Sequence, residues 1–260
     1  MTEQSDDEVL YDEHDHVGVI TINRPGARNA LNWSAYAALE AAVRDTTARC
    51  LVVTGIDPAF CSGDDVKQIM GGGDTPPPDV GRTPRLTPAA DALLHTDIPV
   101  IAAVNGAAVG WGMELAMFAD IRVASEKAKF GELFVLRGLV SDVGGIGRLA
   151  ALVGREKAAE LLLTGDVIGA EEALRIGLVG RVVAHEELLP TAMGLAARIA
   201  ANPPLAVQAL KRGLRRAVDP DWNDLGAWVS TNLGELFQTN DHREGVKSFL
   251  EKRPPRFTGT

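Results

Sequence analysis

The stretch AAVNGAAVGWGMELAMFADIRVAS, residues 102–125, passes from strand to helix and back to strand within a few turns of chain. Val100 to Val104 is an apolar run of the length and composition of a buried parallel strand. Gly110-Trp111-Gly112 is a tight turn, Met113 to Phe118 has the spacing of a short helix, and Ile121 to Ala124 returns to strand. A strand that enters a helix through glycine leaves the helix's first amides without partners, with the positive end of the helix dipole behind them. Glu114 falls in that first turn, where it reads either as a functional acid or as an ordinary N-terminal helix charge.

Working outward, the same order recurs. Upstream, Ser34 to Arg49 carries alanine and leucine at helical spacing and leads into the apolar strand Cys50 to Thr54, after which Phe60-Cys61-Ser62-Gly63-Asp64-Asp65-Val66 turns sharply. Ser62 and Asp65 read there as caps or as part of an anion-holding turn. Downstream, GLVSDVGG (138–145) sets Asp142 at a glycine-rich helix entrance, again as a cap or a functional acid, before helices expected across Gly145 to Leu152 and Glu156 to Leu163. Two strand-to-helix amides aimed at one point form an oxyanion hole, and losing one such donor costs about 2.7–4 kcal/mol of transition-state stabilisation.

The remaining segments are simpler. Residues 1–8 are polar and acidic and read as frayed. Val17 to Ile22 alternates as a strand that Asn23-Arg24-Pro25-Gly26 breaks. Residues 71–88, with three consecutive glycines and five prolines, read as a mobile loop or lid. From Leu205 onward only helical spacing remains, through Leu210, Leu214, Trp222, Leu225, Trp228, Val246, Phe249 and Leu250, and a tail of that kind packs on something.

At 260 residues the chain suffices for one large domain, or one domain and a small appendage. A net charge of -9 repels phosphate backbones, which argues against a nucleic-acid partner. Cys50 and Cys61 lack metal-ligand spacing and read as free thiols of a reducing compartment. The acidic N-terminus lacks the features of a signal peptide, and no run of 18 apolar residues occurs. The expectation is a cytoplasmic protein without membrane association. A hydrolase built on His14 and His16 finds no HExxH or GxSxG element to accompany it.

Taken in order, NRPGARNALN (23–32), AFCSGDDV (59–66), residues 102–125, FGELFVLRGLVSDVGG (130–145), LTGDVIGAEEALRIGLVGRVV (163–183) and EGVKSFLEKRPPRF (244–257) resemble the enoyl-CoA hydratase/isomerase, or crotonase, family over nearly the whole chain. The resemblance implies an α/β fold, a spiral of ββα units over residues 1–200 holding the CoA-binding and active site, with a helical trimerisation region at 201–260. It also implies a homotrimer, or a hexamer made of two trimers. The amides of Asp64 and Trp111 would grip the oxygen of an acyl-CoA thioester as an enolate forms.

Glu114 matches the first catalytic glutamate of family hydratases. The second would fall at position 134, where this chain has Phe134 as an acyl-pocket wall. Asp142 matches the aspartate of certain family isomerases, so Glu114 and Asp142 would form an acid pair able to move a proton between two carbons. Arg24, Arg28, Ser62, Asp65, Lys67 and Lys252 are the implied CoA contacts. Coenzyme A would enter as part of the substrate, with no covalent cofactor and no metal. The implied reaction is hydration of a 2-enoyl-CoA or double-bond isomerisation. The alternatives are a member acting mainly as a Δ3,Δ2- or dienoyl-CoA isomerase, or a non-catalytic CoA- or RNA-binding relative.

Overall fold

The structure, a computed structural model, describes residues 7–70 and 86–260. Along the chain run β1 (Val9–His14), β2 (Val17–Ile22), α1 (Trp33–Arg44), β3 (Cys50–Gly55), β4 (Ala59–Cys61), α2 (Pro88–His95), β5 (Val100–Val104), β6 (Ala107–Val109), α3 (Trp111–Phe118), β7 (Ile121–Ser125) and β8 (Lys129–Gly131). There follow α4 (Ala150–Val153), α5 (Arg155–Thr164), β9 (Val167–Gly169), α6 (Ala170–Arg175), β10 (Arg181–Val183), α7 (Leu188–Ala200), α8 (Pro204–Val218), α9 (Trp222–Leu236) and α10 (Asn240–Glu251). No described helix is long and apolar enough to cross a membrane.

Two sheets result, a six-stranded one in the order β1-β2-β3-β5-β7-β10 and a four-stranded one in the order β4-β6-β8-β9. Each of the pairs β3–β4, β5–β6 and β7–β8 puts one strand in each sheet, so the chain spirals in repeating units. Neighbours are parallel except β1 with β2 and β8 with β9. All of β3 is buried, and its alternation serves two cores. Leu51 and Val53 join the main core, whereas Cys50 and Val52 meet the small-residue face of α7, where Ala192, Ala196 and Ala200 recur every four residues.

Several expectations are corrected at element ends. The helix expected to Arg49 stops at Arg44, because Thr46 and Thr47 spend their hydroxyls on Tyr11 and Glu13 of β1. The expected helix over 145–152 begins as a π-helix across Gly145–Leu149 before continuing as α4. Asp15 and His16, both at positive φ, make the two-residue turn of the β1–β2 hairpin. Glu8, expected frayed, ion-pairs with Arg24 at 2.8 Å, while residues 1–6 lie outside the described residues. Of the expected lid, residues 71–85 also lie outside them, and Pro88 opens α2 as a first-turn proline.

Of the tail helices, α9 buries Trp222 and Val229 in the main core, whereas α8 packs with its amphipathicity inverted. The face of α8 toward the body is cationic. Lys211, 6% exposed, reaches Asp120 at 2.7 Å and the Ile98 carbonyl at 2.8 Å, and Arg212 and Arg215 both pair with Asp97. Leu210, Leu214 and Val218, four residues apart, stand in solvent at 62–70% exposure.

One contact decides how the smaller sheet meets α3. A Cβ placed on Gly112 would lie 1.9 Å from the Cys61 carbonyl oxygen, so only glycine lets α3 seat against the end of β4. Gly112→Ala is therefore expected to cost about 2–3 kcal/mol or more, as overpacking of a core without give does. Urea denaturation compared with Gly194→Ala, where the added carbon meets open space, checks this.

Candidate active site

Because β4, β6 and β8 are adjacent and parallel, their C-terminal ends open at one edge of the small sheet. That edge is where a parallel sheet presents a ligand crevice. Gly63 (φ +86) and Gly110 (φ +55) occupy conformations that side chains rarely adopt, and they turn the chain sharply just past β4 and β6. The turns touch: a Cβ on Gly63 would stand 2.9 Å from the Val109 carbonyl oxygen and 3.1 Å from the Trp111 amide nitrogen. Asp64 and Trp111 line one small cleft, and neither main-chain amide has an acceptor among the described residues. Phe134, 8% exposed, and Leu139 supply apolar wall, and Arg137 borders the same cleft.

Glu114 lies in the first turn of α3, whose eight residues are all buried. Its carboxylate is received by the neighbouring turn: Gly145 donates its backbone N–H to Oε2 at 2.8 Å, and the Ser141 hydroxyl lies 2.8 Å from Oε1. A side chain here would displace these groups, since a Cβ on Gly144 would stand 2.1 Å from Oε2 and one on Gly145 2.0 Å from the Ser141 oxygen. The Ser141 oxygen is also 2.8 Å from Oε2 of Glu132, a residue 1% exposed at the end of β8. Asp142 accepts from the Val143 amide at 2.7 Å and from the Trp111 side chain, which binds it to α3. Asp64 accepts from the Tyr36 hydroxyl at 2.6 Å.

Three buried acids, Glu114, Glu132 and Asp142, therefore stand together, with the half-buried Asp64 within reach of Asp142. Burial holds the Glu114 carboxyl well above the usual range, reinforced by Glu132 and Asp142. Burial likewise lifts Glu132 to about 8, Asp142 upward, and Asp64 to about 6, with the Asp142 charge adding to Glu132 and Asp64. Such displaced acids near a cleft are suited to proton transfer near neutral pH.

Other sequence-selected residues sit apart from that cluster. Arg24 is occupied internally, with Glu8, with Asp65 at 3.1 Å and with the Ala30 carbonyl, and Ser62 donates to the Ala27 carbonyl at 3.2 Å. These contacts pin the NRPGAR loop to the turn after β4. Arg28, Lys67 and Lys252 are exposed. Cys50 and Cys61 are buried free thiols, each pushed up to about 12 by desolvation. Among the described residues no cluster of three or more His, Cys, Asp or Glu is arranged to hold a metal ion.

A Ser125–His185–Asp57 row has hydrogen-bond spacing, 3.0 Å at each step, but Ser125 is fully buried and its oxygen also accepts from the Lys127 amide. It braces the fold. Sequence reasoning missed Glu132, Ser141, Tyr36 and Arg137. The signal for Glu132 was available in FGE (130–132), a third strand end followed by glycine and an acid.

The sequence pattern of the family described as "Enoyl-CoA hydratase/isomerase" is matched by residues 12–260. A short-chain-enoyl-CoA hydratase of Clostridium acetobutylicum is 36% identical over 250 residues, covering 94% of this chain and 95% of that protein. A 2,3-dehydroadipyl-CoA hydratase of Escherichia coli is 36% identical over 258 residues, covering 97% and 99%. The solved structure of a carnitinyl-CoA hydratase from Mycobacterium avium superposes with a TM-score of 0.87 at 34% identity, covering 98% of this chain and 100% of that one.

The buried acids fix the pH dependence of stability. Carboxyls whose folded pKa is raised make the native state bind more protons than the unfolded chain, so stability falls as pH rises from the unfolded values of 3.8–4.5 through the folded values of about 6 and 8. Urea midpoints are expected to decline between about pH 5 and pH 8, and Glu132→Gln is expected to flatten the upper half of that decline.

Proposed function

This chain belongs to the enoyl-CoA hydratase/isomerase family and is an enzyme of it, and from that premise we propose that it polarises an enoyl-CoA thioester between the amides of Asp64 and Trp111 while Glu114 moves a proton at the adjoining carbons. The observation that carries this reading is the contact of the two glycine turns, which brings two residues with unengaged amides to one cleft at the start of the helix that holds the buried Glu114. Donors held by the fold meet the charge that develops on the thioester oxygen without reorganising, and a dry surround strengthens them. Names given to the relatives favour hydration of a 2-enoyl-CoA.

A second reading, double-bond isomerisation, is favoured by Phe134. This apolar side chain lines the cleft where the resemblance leads one to expect a second water-positioning glutamate. Asp142 is then the partner acid to Glu114, taking up or returning the proton at the second carbon. The exposed cations Arg28, Lys67 and Lys252 are the proposed CoA contacts, since Arg24 already spends its charge on Glu8 and Asp65.

Self-association through the C-terminal helices is proposed because α8 turns Leu210, Leu214 and Val218 outward. Residues 1–200 and 201–260 then divide as catalytic core and assembly region. Light scattering on Leu210→Asp/Leu214→Asp is expected to show a monomer where the natural protein is a trimer or hexamer, and equal masses would remove this face from the interface.

Assays with a trans-2-enoyl-CoA and a 3-enoyl-CoA separate the two chemistries. Glu114→Gln is expected to lower kcat by about 10²–10⁴ on whichever substrate is used, the usual worth of a positioned acid or base. Asp142→Asn is expected to abolish 3-enoyl-CoA turnover in the isomerase reading. Hydration that survives Asp142→Asn but not Glu114→Gln leaves the hydratase reading alone.

A further inference from the structure

We infer that Glu114 and Glu132 share a single proton across the Ser141 hydroxyl, so that Glu132, which does not face the cleft, positions the proton on which Glu114 depends. The inference rests on the proposed role of Glu114 and extends it to a residue on another element. It begins with a count of hydrogens. The Ser141 oxygen lies 2.8 Å from Oε1 of Glu114 and 2.8 Å from Oε2 of Glu132, and a hydroxyl has one hydrogen to donate. One contact is therefore Ser141 donating to a carboxyl oxygen, and the other is a protonated carboxyl donating to Ser141, so the pair holds at least one proton. Two ionised carboxylates on either side of one hydroxyl would leave a short contact with no hydrogen in it, in a place where neither residue is more than 1% exposed.

Among the described residues no cation pairs with either carboxylate. Asp142 acts on both members of the pair and is an acid itself, and it acts in turn on Asp64, which takes the Tyr36 hydroxyl of α1. Arg137, on the short 3-10 turn before Gly138, acts on Asp64 and stacks over Phe249 at 4.5 Å. Arg148, on the π-helix, donates to the Met117 and Phe118 carbonyls and to Asp219. What the pair does receive is the Gly145 amide on Glu114, while Oε1 of Glu132 is buried without a partner. A charge on Glu114 is thus better supported than one on Glu132, and the resting proton belongs to Glu132.

The exchange is balanced. As the O–H bond of Glu132 breaks, its proton joins the Ser141 oxygen, and the proton that Ser141 held passes to Oε1 of Glu114. One proton moves one carboxyl further, and no co-reactant is needed. Glu114, sealed from solvent, then alternates between base and acid without admitting water.

The test uses the intact protein and two readouts. The first is infrared spectroscopy of the carboxylic-acid carbonyl stretch near neutral pH. Natural protein minus Glu132→Gln is expected to show the loss of one protonated carboxyl, and Ser141→Ala is expected to shift that band's frequency while both acids remain. The second is kcat/KM against pH. Glu132→Gln leaves beside Ser141 a group that cannot give up a proton, so kcat/KM should fall by about 10²-fold or more across the profile, and Glu132→Asp should restore it in part. An infrared difference without a protonated-acid band, or a Ser141→Ala band that does not shift, overturns the inference, as does a Glu132→Gln profile superimposable on the natural one. Glu114→Gln that keeps full activity instead overturns the proposed role of Glu114, and leaves the infrared result to decide the shared proton.

Discussion

The α-carbon of Gly112 rests against the carbonyl of Cys61 more closely than any side chain permits, and the position of the whole cleft follows from that contact. It brings the start of α3 to the end of β4, so that the turns at Gly63 and Gly110 touch and Asp64 and Trp111 line the same cleft. Both turns need glycine for their backbone angles, and Gly112 needs it for space. The catalytic candidates on this edge are therefore positioned by backbone packing, with side chains following where the backbone leads.

That packing has an electrostatic consequence. Seating α3 in the core takes Glu114 out of water completely, and closing the neighbouring turn over it does the same to Glu132. Desolvation is the largest influence on every acid of the group. Amide N–H groups and a serine hydroxyl, rather than cations, supply the compensation. The arrangement keeps protons on carboxyls at pH values where exposed acids have long since lost them. It does so at a cost to stability that grows with pH, a trade common where function needs charge in a dry place.

The C-terminal helices follow a different logic. In α8 the buried residue is Lys211, anchored on Asp120 and the end of α2's connecting loop, and the leucines are left outside. A helix that holds its own chain by ion pairs and offers its apolar ridge to solvent has its hydrophobic partner elsewhere. The last helix, α10, lies beside the cleft: the Arg137 carbonyl meets the His242 ring at 2.9 Å, and its guanidinium covers Phe249. Tail and cleft wall are thus one packed unit.

Apolar runs at Cys50–Thr54 and Val100–Val104, and glycine at each strand end, were enough to read a parallel α/β core, and the motif order was enough to read the family. Those features are local, because strand length, helix spacing and the need for glycine at a sharp turn are properties of neighbouring residues. Position 134 as an apolar wall, and 64 and 111 as amide positions, were expected for the same reason, through matched motifs, and Phe134, Asp64 and Trp111 line one cleft. Arg24 looked like a free cation because nothing in NRPGAR reveals Glu8 or Asp65 beside it. The inverted face of α8 was equally hidden, since a helical pattern says which residues share a side but not which side meets the protein. Glu132 and Ser141 went unnoticed because their importance lies in distances of 2.8 Å to a residue on another element. The sequence by itself determined which backbone turns could form. Only the tertiary structure decided which acids those turns would enclose together, because burial and the spacing of charges exist only once distant segments have been packed.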